Sequence, residues 1–257
     1  IDPFHLEAYG ETTVNYNRDV EVFPVLNTIF EKIYGKSPYK SPTDMGVNMA
    51  GNCICDDEAC REASGQEIIR RYYAALNDLL KGTCSEEPAQ KIELLMNQAG
   101  VTIQDRKVVA AALNRAQETQ SPAAALELPD GRIITGKTSN LLGASAALLL
   151  NVLKELAGLG HELHIISPEA IEPIQKLKVD YLKSRNPRLH TDEVLIALST
   201  SAAANEDARL ALEQLPKLHG CQAHTSVMLS DVDIKTFQKL GVQLTCESVY
   251  ESGHGYY

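Results

Sequence analysis

Up to about residue 119, apolar positions recur every three or four residues; beyond it they gather into short runs bounded by Gly and Pro. The first helical period carries Val22, Val25, Leu26, Ile29, Phe30 and Ile33, with Asp19 as its predicted cap and Gly35 as its stop. Pro24 is tolerated in its first turns. A second helix is predicted from Asp57 to Leu80, built on Ile68, Ile69, Tyr72, Tyr73, Leu76 and Leu79, and closed by Gly82. A third, capped by Ser85, runs to Gln98 with Gly100 beyond, and a fourth runs from Gln104 to Thr119. Amphipathic helices on short connections predict a small helical bundle over 20–120, ended by the linker Gln120-Ser121-Pro122.

The pattern then changes period. Leu126 to Gly158 reads as strand, tight turn, strand and one long helix, around which the rest is organised. Pro129-Asp130-Gly131 supplies the turn, and Arg132-Ile133-Ile134-Thr135 a β-branched strand. Ser139 or Asn140 is the predicted cap of the helix and Gly158 its end; its Leu141–Leu156 stretch is apolar on nearly every face, so it is predicted to be buried. Downstream, Glu162–Ile166 predicts a strand with His161 and His164 on opposite faces, and Ser167-Pro168 opens a helix to about Lys183. A helix capped by Thr191, preferred there to a strand through Leu198, a helix capped by Asn205 to about Leu218, a strand over Cys221–Leu229, a helix over Asp231–Leu240 and a strand over Val242–Cys246 complete the order. The fold class is α+β, with the bundle followed by a three-layer α/β/α domain over 123–257.

Gly131-Arg132-Ile133-Ile134-Thr135-Gly136-Lys137-Thr138 satisfies G-x-x-x-x-G-K-[ST], the phosphate-cradling loop. Such a loop curls its amides round an anion, whereas an Arg and three β-branched residues favour an extended strand. Pro129-Asp130 also turns the chain just before Gly131. The hairpin reading is preferred to the phosphate-loop reading, and the helix start at Thr138-Ser139 is left as a weak anion site in either.

A net charge of −10 leaves no basic surplus for nucleic-acid phosphates. The longest mostly apolar run, Leu141–Leu153, is too short to span a bilayer. Six cysteines in 257 residues do not make a disulfide framework, which predicts a reducing, cytoplasmic setting. Cys53, Cys55 and Cys60 lie close in sequence without a matching pair, so no metal site is predicted there.

Candidate chemistry sits in two polar loops. Residues 1–19 form a polar segment that begins as if within a longer protein. Its Asp2, His5, Asn15, Tyr16, Asn17, Arg18 and Asp19 offer many hydrogen-bonding groups, read equally as a loose terminus or as a loop lining a site. The second loop, 36–48, is stiffened by two prolines and carries Lys40, Ser41, Thr43, Asp44 and Asn48. In the enzyme reading, Arg18 and Lys40 meet phosphate charge, and His5, Asp19 or Asp44 handles a proton or Mg²⁺.

Two resemblances bear on this. The hairpin–helix–strand–helix–strand–helix–strand order, with Asp130-Gly131-Arg132-Ile133-Ile134-Thr135-Gly136 and Ser167-Pro168-Glu169-Ala170-Ile171-Glu172, resembles the cytidine deaminase fold. Glu169 and Glu172 stand where that family's zinc thiolates would, and Leu149 and Asn151 where its first ligand and catalytic Glu would. No zinc deamination is implied. Asp2–Gly10, Val14–Asp19, Ser37–Asn48, Gln66–Tyr72 and Glu169–Gln175 are similar to the C-terminal half of a bacterial family known as domain of unknown function 1846. That resemblance implies a protein about twice as long. Its other half, with a glycine-rich G-x-x-x-x-G-K stretch, would bring ATP and Mg²⁺ and be this chain's first partner. The implied function is part of a nucleotide-dependent enzyme whose site is completed by loops 2–19 and 36–48. The alternative is a non-catalytic assembly module, including a homo-oligomer.

Overall fold

Helical spacing yields helices close to where the pattern predicts them. The computed structural model describes the backbone of residues 16–39 and 57–251, and the side chains of 22–39 and 61–251. These fall into two compact units that part between Arg106 and Lys107.

The first unit holds α1 (Tyr16–Tyr34), α2 (Asp57–Leu80) and α3 (Glu87–Ala99). α1 begins at Tyr16, so Asp19 lies inside its first turn rather than at its cap, and residues 16–19 are helix and not loop. An acid is favoured throughout a first turn by the helix dipole, so the same residue signals either start. Gly35 ends α1 with φ +75° and donates its N–H to Glu31 O at 2.9 Å. α3 starts one residue later than predicted, with Glu86 at the cap position and Pro88 in its first turn, where the missing N–H costs nothing. The expected helix from Gln104 is broken. The Asp105 carboxylate accepts from Thr102 N at 2.7 Å and Thr102 Oγ1 at 3.0 Å, closing a short 3₁₀ turn at Ile103–Asp105. Arg106 is then buried in extended conformation, donating to Gln66 Oε1 at 3.0 Å.

The second unit is a four-stranded sheet with helices on both faces. α4 (Lys107–Thr119) was predicted to belong to the bundle, yet it packs on the sheet, with Val108 and Ala112 against Ala125 and Ile133. Its apolar stripe finds a matching apolar strand face there. β1 (Ala123–Glu127) and β2 (Ile133–Lys137) form the predicted hairpin, turned at Gly131 with φ +82°. The sheet order is β2-β1-β3-β4, where β3 is Gln222–Thr225 and β4 is Gln243–Cys246. β1 runs antiparallel to β2 and β3, and β3 runs parallel to β4.

α5 (Ala144–Leu156) covers the other face, burying Leu148, Leu149, Val152 and Leu153 over Ala124 and Leu126. The approach is close: a Cβ on Gly136 would stand 2.2 Å from Leu148 N. The glycine of the G-K-T motif therefore serves helix–strand packing, and its residues sit in a paired strand. Ser139 does not cap α5, which begins after Gly143; its hydroxyl instead accepts from Leu141 N and Leu142 N in the preceding turn.

The strand expected over Glu162–Ile166 is absent. Lys154 Nζ donates to the carbonyls of His161 at 2.7 Å and Leu163 at 3.5 Å, while Ile165 and Ile166 still enter the core. The opposed faces expected for His161 and His164 fall with it. The rest follows the predicted order. α6 (Pro168–Lys176) ends in a π turn, Leu177–Tyr181; α7 is Thr191–Ser201, α8 Glu206–Leu212 and α9 Asp231–Lys239. Asn205 caps α8 as predicted, accepting from Asp207 N and Ala208 N. Among the described residues, no helix is long and apolar enough to cross a membrane.

Candidate functional sites

In the first unit, the end of α1, the loop after it and the facing sides of α2 and α3 enclose a cavity of about 500 Å³. Phe23, Ile68, Ala99 and Val101 make its apolar floor. Asn27, Glu31, Lys36, Ser37, Tyr39, Arg61, Ser64 and Gln98 supply polar groups around it. The volume lies within the range usual for small-molecule sites, and the mix of an apolar floor with a few polar groups is the usual lining. Ser37 Oγ accepts from Tyr39 N at 3.2 Å, and the Tyr39 ring meets Phe30 edge-on at 5.6 Å, which ties the loop back to α1.

The second unit contains a constellation that sequence reasoning missed. Asp233, in the first turn of α9, is buried and aimed at the start of α7. Its Oδ1 accepts from Thr191 N at 2.9 Å and Thr191 Oγ1 at 2.8 Å. Its Oδ2 accepts from Ser230 Oγ at 2.7 Å and pairs with His190 Nδ1 at 2.9 Å. Burial pushes the Asp233 carboxyl up, but the bond and charge of His190, with Thr191 and Ser230, prevail and hold it at about 2. The bond from Asp233 in turn raises the His190 imidazole above its ordinary value. With Nδ1 engaged, Nε2 is the ring's remaining donor.

A second pair steadies the same turn. Glu193 accepts from His190 N at 2.8 Å and from the buried Lys178 Nζ at 2.7 Å, and Lys178 also donates to Arg188 O at 2.6 Å. Arg188 pairs with Glu251 at 2.7 Å. Thr191, named as the cap of α7, is its first helical residue, and His190 holds the cap position. The pairs that join the two helix starts lie far apart in sequence, His190 and Asp233 being separated by 43 residues and Thr191 and Asp233 by 42. The only local trace is the Thr191-Asp192-Glu193 start signal.

The sequence-predicted site residues divide as follows. His5, Asn15, Lys40, Ser41, Thr43, Asp44 and Asn48, with Cys53 and Cys55, lie outside the described residues. Tyr16, Asn17, Arg18 and Asp19 lie on the first turn of α1. Lys36 and Ser37, from the start of the second predicted loop, border the first-unit cavity. Glu169 and Glu172 are exposed on α6, Leu149 is buried, and Asn151 donates to Thr135 O at 2.9 Å, tying α5 to β2. Cys221 and Cys246 are separate buried thiols, and burial, with Glu127 nearby, pushes Cys221 up to about 11. Among the described residues, no group of three or more His, Cys, Asp or Glu is placed to hold a metal ion.

Two family models match the chain. Residues 1–100 match the N-terminal domain of unknown function DUF1846, and residues 104–256 match its C-terminal domain. The likeness therefore covers both domains and is not confined to a C-terminal part. A UPF0371 protein of Corynebacterium urealyticum is 60% identical over 250 residues, covering 97% of this chain and 50% of the relative. One from Streptococcus pneumoniae is 55% identical over 251 residues, covering 98% of this chain and 51% of the relative. The chain spans about half the length of the curated relatives it matches.

Proposed function

This chain belongs to the DUF1846 family of bacterial proteins, and from that premise we propose that it is the ligand-binding part of a nucleotide-dependent enzyme. The observation that carries the reading is the first-unit cavity of about 500 Å³, large enough for a nucleotide-sized molecule. Its apolar floor suits a base or sugar face, and Lys36 and Arg61 on its wall suit phosphate oxygens. It is bordered by Lys36, Ser37 and Tyr39, at the start of the loop that the sequence singles out. In this reading the rest of the protein, its relatives being about twice as long as this chain, supplies Mg²⁺ and the remaining contacts to ATP.

The test is calorimetric titration of the full-length protein with ATP and Mg²⁺, against the Arg61→Ala and Lys36→Ala variants. Each lost charge-assisted contact is expected to weaken binding about tenfold. Unchanged affinity in both variants would move the nucleotide away from this cavity.

For the second unit we propose a deaminase-type scaffold put to another use. Four of the five strands in that element order are present, with the hairpin leading directly into the buried α5. The strand over 162–166 is missing, and the positions for metal chemistry carry Leu149 and Asn151.

A second reading, assembly through a homo-oligomer, is favoured by one observation. Val25, Ile29 and Ile33, expected in a core, form an exposed stripe on α1.

A further inference from the structure

Three helices of the second unit begin around one small cavity. Its wall includes Gly143, Ala144 and Ser145 from the start of α5, His190 before α7, and Ser230 and Asp233 at the start of α9. The first two starts are locked side by side by a parallel bridge between Leu142 and Leu189. Leu189 N donates to Leu141 O at 2.9 Å, and Gly143 N to Leu189 O at 3.3 Å.

Each helix start presents unpaired amides and the positive end of a dipole. Two of the three are already answered. α7 has the Asp233 carboxylate on Thr191 N, and α9 has Ser230 Oγ accepting from Asp233 N. α5, a helix of 13 residues, has glycine at its cap position and no side-chain cap.

Ser145 is the independent sign that something belongs there. It is only 2% exposed, lines the cavity, and its hydroxyl has no hydrogen-bond partner among the described residues. Its Oγ lies 4.0 Å from where a Cβ on Gly143 would stand, so it points back toward the open end of α5. The little exposure it keeps is toward the cavity, so a ligand that enters there can bond to it. The two carboxylates on the wall are committed elsewhere, Asp233 to Thr191, Ser230 and His190, and Glu251 to Arg188.

We propose that the start of α5 is a binding site for a small oxyanion, the carboxylate or phosphate end of a ligand, held by the first-turn amides, the Ser145 hydroxyl and the imidazole of His190. The cavity, about 30 Å³, has the volume of about one water molecule, so it receives one oxygen of the anion and the rest of the ligand lies outside it. This site is separate from the nucleotide cavity proposed for the first unit and stands without it.

The probe is inorganic phosphate, measured by equilibrium dialysis on the full-length protein, with acetate as competitor. The expected result is saturable phosphate binding that Ser145→Ala weakens about five- to tenfold while leaving ATP affinity unchanged. Displacement by acetate assigns the site to a planar carboxylate as well; failure of acetate to compete restricts it to phosphate. A second variant, Ser145→Asp, carries its own oxyanion to the same helix end. It is expected to abolish phosphate binding and to raise Tm. Absence of saturable binding to the wild type, or equal binding by Ser145→Ala, overturns the proposal. So does a Ser145→Asp protein that melts several degrees lower, because a carboxylate would then be unwelcome at that end.

Discussion

At the scale of single residues, the pair His190–Asp233 has the clearest measurable consequence. Asp233 is held at about 2, below its ordinary 3.8, so its contribution to stability is present above about pH 4 and is lost as pH falls through about 2. His190 is raised above its ordinary 6.5, so its contribution is complete below about pH 6.5 and is lost as pH rises through the raised value. The clamp between α7 and α9 is therefore strongest from about pH 4 to 6.5. Asp233→Asn keeps the shape but removes the charge, and leaves a buried partner poorly satisfied, at a cost of about 1–3 kcal/mol. The Tm difference between wild type and Asp233→Asn is expected to be largest in that window and to narrow toward alkaline pH. A difference that stays flat from pH 5 to 9 would mean that hydrogen bonds alone hold the clamp. In the same variant, the His190 titration followed by NMR is expected to move down.

At the scale of elements, the hairpin and α5 separate the two readings of Gly131–Thr138. If the stretch serves packing, Gly136 matters and Lys137 does not. Gly136→Ala puts a Cβ 2.2 Å from Leu148 N, and backbone cannot yield as a side-chain tip can, so a loss of about 3 kcal/mol is expected. Lys137 is exposed, and Lys137→Ala is expected to stay within about 0.5 kcal/mol of wild type with ATP affinity unchanged. Chemical denaturation and the ATP titration check both, and a loss of ATP binding in Lys137→Ala would restore the phosphate-loop reading. This element also shows what a sequence can disclose. The hairpin, the stop at Gly35 and the cap at Asn205 were legible because their signals are local, lying within a few residues of the feature they set. The failures that change the architecture are contacts made at a distance. Glu162–Ile166 has the composition of a strand, but Lys154 from α5 takes two of the carbonyls at its start. α4 has a helical stripe, but nothing in 107–119 says that the stripe meets Ala125 and not another helix. The His190–Asp233–Ser230 cluster was invisible for the same reason, being assembled from two helix starts that only the packing of their helices brings together. The edge of the first-unit cavity was half legible, since a loop rich in prolines and polar groups flags a site without saying what faces it.

At the scale of the whole molecule, α1 poses the question that the helical period alone answers wrongly. Val25 is 60% exposed, Ile29 43% and Ile33 64%, although the three lie one turn apart on a stripe that the pattern assigns to a core. Scattered exposed aliphatics are ordinary, but a continuous stripe of three beside Tyr34 is the kind of patch that marks an interface. Burying three such side chains contributes about 1 kcal/mol each, roughly a hundredfold in a dissociation constant. That is too little to hold two molecules by itself and enough to decide whether a dimer assembled over a larger surface persists at micromolar concentration. The full-length double variant Ile29→Glu, Ile33→Glu places like charges where two copies of α1 would meet. In the homo-oligomer reading its sedimentation-equilibrium mass is expected to fall from dimer to monomer, and its Tm to stop depending on protein concentration. A wild-type protein that is already monomeric would assign the stripe to solvent. A variant that keeps its mass and loses stability would place the stripe's contacts within a single molecule.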